Sequence, residues 1–135
     1  MALLEIYHDE NCEKSEREKV FRAVRLIAAA LLNQPDNDFA TKPSNIETVP
    51  IAAFELKKAN NLDYIIAITA VKGRAKPEEI SANLVKNLNK LFAKLNFSVF
   101  WRYISENEMT NTPRPDFGDD FLTIEEVMKM LEEAK

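Results

Sequence analysis

A chain of 135 residues is the size of one domain, long enough to bury a real core but not to carry two comfortable ones. Its 18 Lys and Arg against 22 Asp and Glu leave a formal charge of -4, which argues against the broad basic footprint of a nucleic-acid binder. A single cysteine, Cys12, allows no intrachain disulfide, the N-terminus lacks a basic-then-apolar signal, and no apolar run approaches the roughly 20 residues that span a bilayer; a cytoplasmic chain without membrane contact is expected.

Taken in order, the chain begins with a strand. Ala2 to Tyr7, ALLEIY, is apolar except at Glu5 and predicts a buried strand at the very start. His8 to Glu13 is polar and reads as a loop. His8, Asp9 and Cys12 are ligand-type side chains, but no second histidine or cysteine completes a metal or thiol site, so no metal and no cofactor is expected. Ser15 to Asn33 predicts a helix, with Val20, Val24, Ile27 or Ala28, and Leu31 inward and Glu16, Lys19 and Arg22 outward, stopped by Pro35.

After a polar connection over 34–44, Ile46 to Leu56 predicts a strand in which Pro50 demands an edge position or a bulge. Lys57 to Leu62 contains Asn60 and Asn61, which tolerate positive φ, and predicts a hairpin loop. The strands on either side of it should then be antiparallel neighbours. The second, Asp63 to Val71, is apolar on both faces: Tyr64, Ile66 and Ile68 on one, Ile65, Ala67 and Val71 on the other. Helices can cover only one of those faces, and a partner subunit is the expected cover for the other.

Lys72, Gly73 and Arg74 make a basic corner before a helix from Pro77 to Leu95, whose stripe is Ile80, Leu84, Leu88, Leu91 and Leu95. Unpaired amides at that helix start favour an anion, so Arg74 and Lys72 are the candidate clamp for a small carboxylate. Phe97 to Ile104 is the fourth strand, placing Trp101 and Tyr103 opposite Arg102. In the following segment, Asp116-Phe117-Gly118 matches a kinase triplet without its companion motifs, and Asp116, Asp119 and Asp120 read as a solvated linker. Thr123 and Glu126 form a capping box opening a helix with Ile124, Val127, Met128 and Leu131 as its stripe.

The expected fold is α+β: two β-α-β units forming a mixed four-stranded sheet with two helices on one face, plus a C-terminal helix. Residues 1–106 make the domain, and 107–135 a linker and helical tail packed on the same or a neighbouring subunit. A ferredoxin-like βαββαβ module has the same element order and is the fold-level alternative.

The strand that starts at Ala2 and the run DYIIAITAVKGRAKPEEISANLVKNLNKLF resemble the tautomerase superfamily, in its 5-carboxymethyl-2-hydroxymuconate isomerase and macrophage migration inhibitory factor branch. The resemblance covers Ala2 to Ser105 and implies a homotrimer of paired β-α-β units. In that family a proline after the initiator methionine is the catalytic amine; here the position is Ala2. A second family arginine falls near Glu47, where the charge is reversed. The resemblance implies one of two functions. One is an isomerase or tautomerase acting on a small oxo- or hydroxy-carboxylic acid near Arg74, with Lys72 assisting and Ala2 as candidate proton carrier. The other is a non-catalytic homo-oligomeric member serving assembly or partner binding, and the changes at Ala2 and Glu47 favour weak or absent tautomerase activity.

Overall fold

The computed structural model describes residues 2–32, 46–53, 55–71, 77–104 and 123–134. They form β1 (Ala2–Asp9), α1 (Lys14–Leu32), β2 (Ile46–Ala53), α2 (Leu56–Asn60), β3 (Tyr64–Val71), α3 (Pro77–Leu91), β4 (Phe97–Ile104) and α4 (Ile124–Glu133). The acidic and kinase-like letters between 105 and 122 lie outside the described residues.

The four strands make one mixed sheet in the order β2-β1-β3-β4. β1 runs parallel to β2 and antiparallel to β3, and β3 runs parallel to β4, so two parallel β-α-β units meet along the central β1–β3 ladder. The strands flanking α2 are therefore not hairpin neighbours: β1 lies between β2 and β3.

Two physical reasons override the hairpin expectation. The central places go to the strands that can be buried, and Leu4, Ile6, Tyr64, Ile66 and Ile68 are all 0% exposed, whereas β2 carries Pro50 and sits at the edge. The connection itself winds into helix. Asn61 does adopt positive φ (55°), but as the C-terminal cap of α2, its N–H donating to the Lys57 carbonyl at 2.8 Å. Glu55, at φ 54°, makes the matching left-handed corner at the other end.

Burial follows the strand period. Leu4, Ile6 and His8 on β1, Ile46 on β2, and Tyr64, Ile66 and Ile68 on β3 are buried against one helical face. α1 contributes Val20, Val24, Ile27 and Ala28, and α3 contributes Ile80, Leu84, Leu88 and Leu91. Each such side chain contributes on the order of 1.5–3 kcal/mol of burial free energy.

α1 buries a wider arc than one stripe, including Ala23, Leu26 and Ala29, because α4 also leans on α1 and α3 with Val127, Met128 and Leu131. α4 opens with the capping box: the Glu126 N–H donates to Thr123 Oγ1 at 3.2 Å, and the Thr123 N–H donates to Glu126 Oε1.

The other face of the sheet has no helix over it among the described residues. It presents Leu3, Tyr7, Ile51 and Ile65, all partly buried, with Val49 and Phe100 each 40% exposed. Across it Arg102 Nη1 donates to Glu5 Oε1 at 2.5 Å, and its guanidinium lies 5.4 Å above the Phe100 ring. Trp101 points the opposite way, into the helical layer, where its indole N–H donates to Ser81 Oγ.

Candidate functional site

Three places in this fold gather chemistry: the two ends of the sheet and its β2 edge. At one end, β1 and β2 begin and β3 and β4 finish. Ala2 stands opposite Ile46, Leu3 lies between Glu47 and Thr69, and Val71 is paired with Ile104. The main chain of Ala2 is the first member of the β1–β2 ladder. Lys72 and Arg74 follow directly on Val71 in the chain and lie outside the described residues. Topology thus brings the start of β1 and the departure point of the basic corner to one end of the sheet.

At the opposite end, His8, expected in a loop, is instead the penultimate residue of β1 and only 6% exposed. Its Nδ1 lies 3.0 Å from the Asp9 carbonyl and 3.5 Å from Cys12 Sγ. A carbonyl only accepts, so Nδ1 carries the proton toward it, which leaves Nε2 as the bare nitrogen of the neutral ring. The Phe21 ring meets the imidazole edge-on at 6.1 Å.

Beside them the fully buried Tyr64 hydroxyl donates to Glu16 Oε1 at 3.0 Å. Burial, and then the Glu16 carboxylate, push this phenol well above its ordinary range, so it stays a neutral donor. Asp9 does the reverse. The N–H groups of Asn11 and Lys57 donate to its carboxylate at 3.0 and 3.1 Å and hold it below the usual carboxylate range. It thereby supplies α2 with the N-terminal acceptor that Glu55 does not. Among the described residues no three His, Cys, Asp or Glu side chains are grouped to hold a metal ion.

The third place is a groove of about 570 Å³ between α1 and the outer edge of β2. Its floor is Thr48, Pro50 and Ala52, alternate residues of the edge strand, with His8 beside them. Its wall is α1: Arg17, Phe21 and Arg25 succeed one another at four-residue steps, with Glu18 and Arg22 alongside. Glu18 lies 4.0 Å from Lys14, whereas the guanidinium groups of Arg17, Arg22 and Arg25 have no carboxylate partner among the described residues. The sequence reading had placed Arg22 on a solvated face and passed over Arg17 and Arg25. Their four-residue spacing is visible in the sequence, but not that the strand beneath them is the β2 edge of the sheet.

No protein-family model and no curated relative matches the sequence. Solved structures do. The chain is similar to native fused 4-OT, with a TM-score of 0.59 and 11% identity over 91% of this chain and 96% of that one. It is similar to Pt0534 inactivated by 2-oxo-3-pentynoate (TM-score 0.56, 11% identity, 79% and 89% covered). It is also similar to macrophage migration inhibitory factor of Toxoplasma gondii (TM-score 0.54, 12% identity, 83% and 97% covered). A further match is fused 4-OT described as an asymmetric trimer (TM-score 0.57, 11% identity, 91% and 96% covered). The fold is tautomerase/MIF-like, that of these structures: α+β with a mixed four-stranded sheet.

Proposed function

We propose that this chain is a homotrimeric protein of the tautomerase fold that binds a small oxo- or hydroxy-carboxylic acid at the Ala2 end of its sheet. The observation that carries the trimeric part of the reading is the sheet face with no helix over it among the described residues, where Leu3, Tyr7, Ile65 and Phe100 form an apolar field around the Arg102–Glu5 ion pair. One protein of the same fold, fused 4-OT, is described as a trimer, and another, Pt0534, is inactivated by the 2-oxo acid 2-oxo-3-pentynoate.

In this reading Arg74 clamps the carboxylate with a planar fork of donors and Lys72 adds charge. Ala2, freed by removal of Met1, carries the proton on a primary amine whose pKa is about 7.7–8.0 in model peptides. It lacks the secondary amine of the family catalyst, so turnover is weak. The second reading, a non-catalytic homo-oligomer serving assembly or partner binding, rests on the same replacement together with the reversed charge at Glu47. Residues 1–106 form the domain and 107–135 a tail on the same subunit; the seat of α4 on α1 supports this. The address is cytoplasmic; no helix of the described residues is long and apolar enough to cross a membrane.

The test follows phenylpyruvate enol-to-keto conversion by absorbance, with Met1 removal checked by mass spectrometry. A slow wild-type rate that falls about tenfold or more in Arg74→Ala is expected. A rate that Arg74→Ala leaves unchanged overturns the clamp, and a wild-type rate equal to buffer selects the non-catalytic reading.

A further inference from the structure

We infer that the groove between α1 and the β2 edge is a second binding site, independent of the Ala2 end, that takes a small organic dianion bearing phosphate or paired carboxylates. Three observations converge on it. The first is uncompensated charge: Arg17, Arg22 and Arg25 line one cavity without a carboxylate partner among the described residues, in a chain whose formal charge is -4. The single acid of the lining, Glu18, already faces Lys14 at 4.0 Å. Three guanidinium groups are a matched set for oxyanions, because each offers a rigid fork of donors.

The second is the imidazole. His8 is 6% exposed and lines the cavity, its Nδ1 is used by the Asp9 carbonyl and Cys12, and its Nε2 has no partner among the described residues. A polar nitrogen buried to that degree ordinarily has a partner; as an acceptor it needs a donor, and a ligand group carrying an O–H, as hydrogen phosphate does, supplies one beside the oxygens that the guanidinium groups hold. The third is shape. A volume of about 570 Å³ is that of a small-molecule site, and Phe21, Pro50 and Ala52 give an organic scaffold apolar surface between the charges. Thr48, Pro50 and Ala52 share the helical side of the sheet with Leu4, Ile6 and His8, so assembly through the opposite face leaves the groove open.

The chain carries its own reporters, since it has one histidine and one tryptophan. His8 lines the groove, and Trp101 lies on β4 beside Ser81 of α3. Nitrogen-15-labelled full-length protein is titrated with inorganic phosphate, succinate and acetate at constant ionic strength, and the imidazole and indole signals are followed. Saturable movement of the His8 signals with phosphate or succinate, but not acetate, while Trp101 stays fixed, is the expected result; whichever of the two binds more tightly identifies the oxyanion. Arg17→Gln and Arg25→Gln are each expected to weaken the midpoint about tenfold. Ala52→Phe, which fills the floor without touching a charge, does the same, and Arg74→Ala leaves it unchanged.

Imidazole signals that do not move, that move equally with acetate, or that move together with Trp101 overturn the site. So does loss of the effect in Arg74→Ala, which would put the ligand at the Ala2 end instead. Each variant is first checked for a dispersed amide spectrum, and the conservative Arg25→Lys, retaining charge without the fork, is expected to recover only part of the affinity.

Discussion

Tyr64 carries a polar group into the buried helical side of the sheet. Its ring stacks on Phe97 at 5.7 Å with only 17° between planes, and its hydroxyl, 0% exposed, finds its acceptor in Glu16 of α1. Burial first, then Glu16, raise its pKa above the ordinary 10.0. A raised pKa means that the stabilisation is fully present below the unfolded value of 10.0 and drains away as pH climbs past it, because only the unfolded chain then ionises freely. Tyr64→Phe is therefore expected to cost about 1 kcal/mol at pH 8 through the lost hydrogen bond. Its stability should fall less steeply than that of the parent between about pH 10 and 11, since one raised tyrosine pKa is gone. Urea midpoints at the two ends of that range check both signs. The pattern of the strand foretold that Tyr64 faces the core; the acceptor 48 residues away in the chain was not visible in any local spacing.

For the elements, local pattern and long-range pairing had different legibility. The 3.6-residue stripe on α3, the alternation in β4 and the Thr123–Glu126 box were all readable because each is a statement about neighbours in the chain. Which strand lies beside which is not local. Asn60 and Asn61 fit a hairpin turn and a helix end equally well, and the choice between them was made by burial, which put β1 in the middle. The same gap hid the groove, because Arg17 and Arg25 matter only once β2 is known to be the edge beneath them. The capping box gives a clean element-level prediction: Thr123→Ala should lower stability by about 1 kcal/mol. Because α4 sits on α1 and α3 through Val127, Met128 and Leu131, the loss should also appear as faster amide exchange in α4 before global unfolding. Equal exchange rates in the two proteins would show the box to be idle.

For the whole molecule, the sheet face with no helix over it among the described residues is where the proposed trimer would assemble. Phe100 and Val49, each 40% exposed, flank Leu3, Tyr7 and Ile65, a field too continuous to be left in water without consequence. Phe100→Glu places a charge in it without touching the core, so the expected outcome is a monomer by light scattering with an unchanged circular dichroism spectrum. Retention of a trimeric mass by that variant would mean that another surface assembles the protein.

The two margins of the sheet differ in one more way. β2 bears Pro50, a residue with no N–H to offer a newcomer, while β4 is FSVFWRYI, eight residues without proline or glycine and with Arg102 as its one charge. That composition is the kind that templates fibrils when it lies bare. Arg102 is thus more than half of an ion pair with Glu5: it is the one charge within β4 that interrupts this self-adhesive pattern.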